Sequence, residues 1–397
     1  MNAPVNTAVN PIGIHDITFA TGHHSFALET LADKHGIDVG KFHKGIGQEV
    51  MSQPAADEDI VTMAATAAKR IIDRNGTDGI RTLLFATESG VDQSKSAGVY
   101  VHGLLGLPSQ VRTIEMKQAC YSGVGALQVA LGIVSRNPQE KVLVVASDVA
   151  RYDLNSGGEP TQGAAAAAFL VQANPGIFAV EPASGVYTYD VQDFWRPNDR
   201  HTALVDGKLS IDAYLNAVRG AYDDFIDHGG ADFAAIDRFC YHQPFTKMAV
   251  KAQMALREHV GLSADKAETA AELETTMHYN RMIGNSYTAS VFLALMSLLE
   301  TESDDLAGKR VGVLSYGSGA VAEFFTGTIV DGYQKLLHAD EHKKALDSRE
   351  PLTYDAYRDL HPGTRVADIT DYGTPEVTDA PFRFAGVKDH SRIYQRR

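Results

Sequence analysis

The chain has 397 residues, a formal net charge of −14 at pH 7, 44% hydrophobic residues and 22% charged residues. This composition is typical of a globular protein with a large core, and the negative charge argues against a general binder of nucleic acid or anionic membranes. Two cysteines, Cys120 and Cys240, are too few for a disulfide scaffold or a cysteine-rich zinc site. Because no signal peptide and no membrane-spanning run is recognisable, we expect a soluble, cytoplasmic protein.

The first half of the sequence alternates predicted strands and helices. After a loosely attached tail at 1–11, the expected elements are a strand at 12–20, helices at 25–35 and 57–74, a strand at 82–87, a helix at 94–105, a strand at 111–118, a helix at 126–134 and a strand at 141–148. Near-continuous apolar strands between helices predict an α/β layer with a mostly parallel sheet. The alanine run at 164–168 predicts a further, tightly packed core strand.

The second half repeats this order of elements at offsets of roughly 155–170 residues. A helix is expected at 209–228, and the repeated elements are a strand at 238–242, a turn and helix at 284–299 and a strand at 310–317. The repeat predicts a duplicated fold whose halves, 12–170 and 171–330, are related by a pseudo-two-fold axis. Their functional ends would then face one crevice. The remainder, 331–397, is interpreted as a peripheral extension with a helix near 333–346, in which 382–386 is apolar enough to pack back onto the body.

Cys120 lies where a strand gives way to small residues and then to a helical pattern. Free backbone N–H groups and the positive end of the helix dipole favour anions at such a place. We therefore expect the pKa of the Cys120 thiol to be lowered, so that it is partly thiolate. The alternative interpretation is a buried structural cysteine.

Two further reactive side chains, Glu88 and His242, follow predicted strands in the two halves. A cysteine accepts an acyl group from a thioester at little thermodynamic cost, and a desolvated carboxylate can remove a proton alpha to a carbonyl. A histidine can polarise or protonate a carbonyl oxygen that gains negative charge. Together they describe acyl transfer followed by carbon–carbon bond formation. Taken singly, a solvated glutamate and a hydrogen-bonded core histidine are the plainer interpretations.

The sequences around these three residues resemble the active-site motifs of the 3-hydroxy-3-methylglutaryl-CoA (HMG-CoA) synthase family. The motifs are ATESGVDQSK at 86–95, KQACY at 117–121 and YHQPFTK at 241–247. Further similarity lies in VDGKLS at 205–210, GNSYT at 284–288, SYGSG at 315–319 and GVKDHSRIY at 386–394. The resemblance extends over nearly the whole chain, from about residue 12 to residue 394.

This resemblance implies a thiolase-like duplicated fold, with mostly parallel central sheets flanked by helices, and usually a homodimer. It implies condensation of acetyl-CoA with acetoacetyl-CoA and water to give HMG-CoA and free CoA. Cys120 would take the acetyl group, Glu88 would remove a methyl proton, and His242 would hold the acceptor and assist at its carbonyl oxygen. No metal and no cofactor is expected, because the CoA thioesters are substrates.

The resemblance also implies binding and supporting residues at matching positions. Those near CoA would be Asp38, Lys41, Lys247 and Lys251; those lining the acyl pocket would be Asn155, Thr161, Ser210, Asn285 and Ser318; those supporting the catalytic groups would be Asp92, Tyr152 and Asp193. Without the resemblance, the lysines would be equally well explained as solvated helix surface. Asp148 and Asp206 match the family too, but we interpret them as structural.

Cys240 is interpreted as a core residue. A second catalytic cysteine would indicate a degradative thiolase, but thiolases carry theirs in a glycine-rich loop of the second half. In this chain that loop, 317–321, contains no cysteine.

Three functions are compatible with these features. The first is HMG-CoA synthase of the mevalonate route to isoprenoids. The second is a related enzyme of polyketide β-branching, which acts on acyl groups bound to a carrier protein and would have the same catalytic residues. The third is a catalytically silent scaffold or subunit, against which the intact set of Glu88, Cys120 and His242 argues. Lys41, Lys247 and Lys251 favour free CoA over a carrier protein.

Overall fold

The structure is a computed structural model that describes residues 10–361 and 371–397, so the tail predicted at 1–11 lies almost wholly outside the described residues. The helices are α1 (Leu28–His35), α2 (Ile60–Asn75), α3 (Ala97–Leu105), α4 (Ser122–Arg136), α5 (Gly207–Asp227), α6 (Met248–His259), α7 (Lys266–Ile283), α8 (Ser290–Thr301), α9 (Ala339–Asp347) and α10 (Tyr354–Leu360). Within these ranges of the chain, no helix combines the length and the apolarity that crossing a membrane requires.

Strands and helices alternate through most of the first half, whereas several strands or several helices follow one another later in the chain. They are β1 (Ile12–Thr21), β2 (His24–Ala27), β3 (Val50–Gln53), β4 (Ile80–Ala86), β5 (Arg112–Met116), β6 (Lys141–Ala150), β7 (Gly163–Ala173), β8 (Phe178–Thr188), β9 (Phe194–Trp195), β10 (Leu204–Val205), β11 (Arg238–Tyr241), β12 (Arg310–Gly317), β13 (Val321–Ile329), β14 (Glu350–Pro351), β15 (Tyr372–Gly373), β16 (Phe382–Lys388) and β17 (Ser391–Arg396).

A nine-stranded sheet runs through both halves in the order β5-β4-β6-β7-β1-β8-β13-β12-β11. From its centre outward, β1, β7, β6 and β4 on one side correspond to β8, β13, β12 and β11 on the other. This mirrored order is the duplication that the sequence predicts. The domain boundaries placed at 170 and 330 remain predictions, because one sheet joins the two halves.

The sheet is mixed, so the expectation of mostly parallel pairing is corrected in this respect. Among the described strands of the large sheet, β4–β5, β4–β6 and β11–β12 are parallel, and the other neighbours are antiparallel. The connections give the reason: β12 reverses directly into β13, and β6 returns as β7 through a loop without an α-helix, so each of these pairs is antiparallel. Parallel pairing is kept where helices make the crossover, and those are the strands that lead to Glu88, Cys120 and His242.

Helices cover both faces of the sheet. α2 and α3 pack on one face of the first half, α5, α6 and α7 pack on the second half, and α4 and α8 lie in the core between them. Every residue of α8 from 290 to 299 is buried, as its all-round apolar sequence requires. The alanines of β7 alternate between the two helix-covered faces, so their small side chains let helices approach the sheet closely on both sides.

The hairpin of β16 and β17 packs back onto the body of the protein. Phe382 is buried in the core beside α2, and Arg383 forms a buried ion pair with Asp57, with Nε and Oδ2 3.1 Å apart. The Asp57 carboxylate also accepts hydrogen bonds from the backbone amides of Val377 and Thr378. The C-terminal residues therefore stabilise the start of α2.

Replacing Arg383 with alanine should lower the free energy of unfolding by about 3–5 kcal/mol, because it leaves the carboxylate of Asp57 buried without its cation. Denaturant unfolding of the purified variant measures this difference. Arg396→Ala is the matched control, since Arg396 is an exposed arginine of the same hairpin and should change stability by no more than about 0.5 kcal/mol. Equal stabilities for the two variants would contradict the prediction.

Candidate active site

Three candidate catalytic side chains follow the carboxyl ends of parallel strands. Glu88 comes shortly after β4, Cys120 follows β5 and precedes α4, and His242 comes directly after β11. The Sγ atom of Cys120 lies 3.9 Å from both carboxylate oxygens of Glu88. The thiol and the carboxyl group are thus close enough to act on the same small acyl group.

The backbone before Cys120 is held in an unusual conformation. Ala119 has a φ of 43°, in the left-handed region that a residue with a Cβ adopts at a cost. The hydroxyl of Ser122 donates to the Ala119 carbonyl oxygen at 2.7 Å, which fixes this turn at the start of α4. Tyr287 has a similar φ of 46° at the equivalent place before α8, so both halves retain this sharp entry into a buried helix.

The loop after β12 brings the second half up to Cys120. A Cβ atom on Gly317 would lie 2.5 Å from the carbonyl oxygen of Gln118, so only glycine permits this close approach. The side-chain amide of Gln118 donates to the Ser318 carbonyl oxygen at 3.3 Å. β12 is also the neighbour of β11, and the backbone amide of His242 donates to the Leu314 carbonyl oxygen on β12 at 2.8 Å. These contacts link the segments of Cys120 and His242 to the same strand, β12, and to the loop that follows it.

Asp148, interpreted as structural from the sequence, positions Glu88, the candidate base. Its Oδ1 accepts hydrogen bonds from the hydroxyl of Thr87 at 2.8 Å and from the amides of Glu88 and Ser89, both at 2.9 Å. Its Oδ2 accepts from the amide and the hydroxyl of Thr288 in the second half. The match of Asp148 to the family was the signal in the sequence that could have identified this positioning role.

Burial raises the pKa of Glu88 well above its ordinary value, and the nearby carboxylate of Asp148 raises it further. A carboxyl group with a raised pKa is a stronger base when ionised, which suits removal of a proton from carbon. Arg196 opposes this shift in part; its guanidinium donates to the Glu88 carbonyl oxygen at 3.5 Å.

The expectation of a lowered pKa for Cys120 is wrong. Burial raises the pKa of this thiol well above its ordinary value, and the carboxylates of Glu88 and Asp148 add to the effect. α4 begins only at Ser122, and its dipole is outweighed by desolvation and two acidic neighbours. Cys120 therefore rests as a protonated thiol that must lose its proton as it attacks.

Burial lowers the pKa of His242 to about 3, so its imidazole is neutral. Its backbone carbonyl accepts a hydrogen bond from the hydroxyl of Tyr214 at 2.7 Å. Within the described residues, neither ring nitrogen has a hydrogen-bond partner from the protein. A neutral imidazole with a free N–H can donate to a substrate carbonyl oxygen and stabilise negative charge there.

Asp193 organises the glycine-rich loop after β12. Its buried carboxylate accepts hydrogen bonds from the hydroxyl of Tyr316 at 2.7 Å, from the amide of Gly319 at 2.9 Å and from the hydroxyl of Ser210 at 3.4 Å. Ser318, one of the predicted pocket residues, lies in this loop. Asp193 therefore holds the loop that carries Ser318, and its role in supporting the catalytic groups remains a prediction.

The remaining predicted pocket residues and Tyr152, predicted as a supporting residue, fall into two groups. Tyr152 lies in a small cluster with Cys120, and its hydroxyl accepts a hydrogen bond from the side-chain amide of Asn285 at 3.5 Å. The carbonyl oxygen of Thr161 accepts from the backbone amide of Asn285 at 2.9 Å, which adds a third residue to this group. Asn155 is exposed on the loop between β6 and β7, and no hydrogen bond of the described residues links its side chain to the group.

Asp92 is also exposed and lies beyond the immediate surroundings of Cys120. Its carboxylate accepts from the hydroxyl of Tyr100 at 2.9 Å and pairs with Arg392 at 3.1 Å. It thus contacts α3 and the C-terminal hairpin rather than the thiol.

The predicted CoA-binding lysines lie around one junction. The backbone amide of Lys247, just before α6, donates to the Ile46 carbonyl oxygen at 2.9 Å, which joins the 41–46 turn that begins with Lys41 to the start of α6. Lys251 is exposed one helical turn later, and the Asp38 carboxylate accepts from the amide of Gly40 at 2.9 Å. Over residues 10–361 and 371–397, none of these lysines forms an ion pair, so they remain available to an anion.

Cys240 lies fully buried among apolar side chains, and burial raises the pKa of its thiol, in agreement with a core residue. Among the described residues, His23, His24 and Glu350 form the group of side chains close enough to hold a metal ion. The pairing of β14 with β2 and the 3.4 Å ion pair between His23 and Glu350 account for this proximity without a ligand.

Comparison with known proteins finds relatives that match nearly the whole chain. The profile of the hydroxymethylglutaryl-coenzyme A synthase N terminal family matches residues 10–175, and that of the C terminal family matches residues 179–258 and 256–362. The hydroxymethylglutaryl-CoA synthase of Enterococcus faecalis is 42% identical over 358 residues, which cover 90% of this chain and 93% of that protein.

Two further relatives show the breadth of the similarity. A solved structure of MvaS in complex with 3-hydroxy-3-methylglutaryl coenzyme A has a TM-score of 0.91 and 35% identity, covering 98% of this chain and 99% of that one. The polyketide biosynthesis 3-hydroxy-3-methylglutaryl-ACP synthase PksG of Bacillus subtilis is 34% identical, covering 92% of this chain and 90% of that protein.

Replacing Glu88 with glutamine should stabilise the protein at neutral and alkaline pH. Because the pKa of Glu88 is raised in the folded chain, unfolding releases a proton, and rising pH above about 4.5 favours the unfolded state. Glutamine cannot ionise in either state and removes this effect. Thermal unfolding across pH should therefore show an advantage of Glu88→Gln that is absent below about pH 4.5 and grows as pH rises.

Glu350→Gln is the control for this experiment, since Glu350 has an exposed side chain. A difference between Glu88→Gln and the unmodified protein that does not change with pH would contradict the assignment.

Proposed function

Since this chain belongs to the hydroxymethylglutaryl-CoA synthase family and is an acyl-transferring, condensing enzyme, we propose that Glu88, Cys120 and His242 carry out its reaction. The reaction condenses acetyl-CoA with acetoacetyl-CoA and water to give HMG-CoA and CoA. The observation that carries the assignment is the 3.9 Å separation of the Cys120 sulfur from both oxygens of Glu88. At this distance a nucleophile and a base could both reach one acetyl group.

In the first step, the Cys120 sulfur attacks the carbonyl carbon of acetyl-CoA. The S–C bond to CoA breaks, and the thiol proton ends on the departing CoA sulfur, so a thioester is exchanged for a thioester. The raised pKa of the Cys120 thiol is compatible with this thioester exchange, because the proton leaves the sulfur only as the new S–C bond forms.

In the second step, the carboxylate of Glu88 removes a proton from the methyl group of acetyl-Cys120. The resulting carbanion attacks the ketone carbon of acetoacetyl-CoA, and the ketone oxygen becomes an alkoxide. The neutral imidazole of His242 donates its N–H to this oxygen and stabilises the charge. Glu88 gives up the proton it removed, and the alkoxide takes up a proton to become the hydroxyl group of the product. Water then hydrolyses the thioester to Cys120: its hydroxyl group completes the carboxyl group of the product, and its remaining hydrogen restores the Cys120 thiol. We propose that this sequence uses no metal and no cofactor.

The acyl and CoA portions of the substrates would occupy opposite ends of the crevice. Asn285 and Thr161 would contact the acyl groups near Cys120. Lys247 and Lys251 would meet the CoA phosphates as point charges, together with the turn that begins at Lys41. Asp38, Asn155, Ser210 and Ser318 complete the proposed binding set, and Asp92, Tyr152 and Asp193 would support the catalytic groups.

The cellular role is proposed from the relatives. We place the enzyme in the mevalonate pathway, as a cytoplasmic homodimer that works on free CoA thioesters. The similarity to the Enterococcus faecalis enzyme, at 42% identity, exceeds that to the Bacillus subtilis ACP synthase, at 34%. Action on carrier-protein-bound acyl groups is the second candidate, supported by that polyketide relative.

The deciding experiment is an assay of the purified protein with acetyl-CoA and acetoacetyl-CoA, which follows thiol release and product mass. Formation of HMG-CoA with one CoA released per turnover supports the first function. Condensation only when acetyl carrier protein replaces acetyl-CoA would support the second. No product with either donor would contradict both.

Removing the two central groups should block different steps. Cys120→Ala should not become acetylated by acetyl-CoA, because it lacks the nucleophile. Glu88→Ala should still form acetyl-Cys120 but should not condense it, because no base removes the methyl proton. Intact-protein mass spectrometry after incubation with acetyl-CoA, and product analysis after addition of acetoacetyl-CoA, separate the two steps. An acetylated Cys120→Ala protein, or a Glu88→Ala protein that condenses normally, would refute the respective role.

Neutralising a CoA lysine should weaken substrate binding and leave the chemistry largely intact. Lys247→Ala and Lys251→Ala should each raise the KM for acetyl-CoA about tenfold, the effect of losing one charge-assisted contact, with little change in kcat. Lys266→Ala, an exposed lysine at the start of α7, is the matched control. A KM that is unchanged in both variants would place CoA elsewhere.

A further inference from the structure

The segment from Glu88 to Ser96 joins β4 to α3 without regular structure, and both of its ends are fixed. At the first end, the carboxylate of Asp148 accepts from the amides of Glu88 and Ser89. At the second end, the carboxylate of Glu115 accepts from the amide of Ala97 at 2.6 Å. The middle of the segment is therefore the part whose position other contacts must determine.

The middle of the segment is held by the C-terminal hairpin. Arg392, on β17, donates from Nη2 to the Val91 carbonyl oxygen at 2.6 Å and from Nε to the carboxylate of Asp92 at 3.1 Å. Its side chain is only 14% exposed, and its guanidinium carbon lies 5.9 Å from the centre of the Phe384 ring on β16. One planar guanidinium group thus holds both a backbone carbonyl and a side chain of the segment from Glu88 to Ser96.

The hairpin is itself anchored to the rigid body, which makes it a suitable support. Phe382 is buried beside α2, and Arg383 pairs with the buried carboxylate of Asp57. The hydroxyl of Tyr394 donates to Asp59, the residue that caps α2, at 2.6 Å. The position of Val91 and Asp92 is therefore tied through Arg392 to the core.

We propose that Arg392 is a positioning residue for Glu88, which acts in the proton-abstraction step but not in acetyl transfer. The proposal rests on the function proposed for Glu88. Cys120 is placed by β5, α4 and the loop of Gly317, and within the described residues the Arg392 side chain donates hydrogen bonds to Val91 and Asp92 and to none of these elements. Proton transfer from carbon requires close alignment of base and methyl group, so a small shift of the Glu88 segment slows that step selectively.

The test compares Arg392→Ala, Arg392→Lys and the control Arg396→Ala, an exposed residue of the same strand. Three quantities are measured: the rate of acetyl-Cys120 formation from acetyl-CoA, kcat for condensation, and the kinetic isotope effect on condensation with acetyl-CoA deuterated in the methyl group. For Arg392→Ala we expect unchanged acetylation, a kcat lowered about tenfold to a hundredfold, and a larger isotope effect. Arg392→Lys should be intermediate, because an ammonium group cannot reproduce the planar two-nitrogen contact.

Each outcome decides the proposal. Normal condensation with an unchanged isotope effect in both Arg392 variants would overturn it. A parallel loss of acetylation, condensation and thermal stability would also overturn it, since that pattern indicates a merely structural role. If Arg392→Ala does not fold, Arg392→Lys decides by the same criteria. Absence of condensation in the unmodified protein would instead refute the proposed function itself. If the unmodified protein and Arg396→Ala both condense normally, any loss in the Arg392 variants is specific to Arg392.

Discussion

The carboxylate of Asp148 lies fully buried where the two halves of the protein meet, and its two oxygens accept hydrogen bonds from different halves. Oδ1 holds the turn of Thr87, Glu88 and Ser89, whereas Oδ2 holds Thr288 at the entry to α8. A buried carboxylate is expensive to leave without partners, so neither side can move without a large penalty. Glu88 in the first half is thereby fixed relative to the start of α8 in the second half.

The same burial that fixes the site also sets its electrostatics. Glu88 and Cys120 face each other at 3.9 Å in surroundings that disfavour charge, and the Asp148 carboxylate disfavours it further. The environment keeps the thiol protonated, makes the carboxylate a stronger base and leaves His242 neutral. Such an arrangement is unfavourable for folding and favourable for chemistry that moves protons without free ions.

Much of this organisation follows from the sequence. The alternation of apolar strands and helices predicts the duplicated α/β fold, and the residue types after three strands identify the catalytic candidates. The mixed strand pairing does not follow, because the half-exposed strand β8 has only a weak apolar pattern and pairs with β13, far away along the chain. The raised pKa of Cys120 does not follow for a related reason: a local helix start is visible in the sequence, whereas neighbouring carboxylates such as Asp148 are placed by tertiary structure.

The C-terminal hairpin has a consequence for how the enzyme is made. β16 and β17 come later in the chain than every strand of the nine-stranded sheet, yet they hold the segment that follows Glu88. A nascent chain can therefore assemble this sheet before the hairpin emerges, and at that stage the segment after Glu88 would lack the support of Arg392. Activity would then appear only after the hairpin has been made, and proteolytic removal of the hairpin would affect a site far away in sequence.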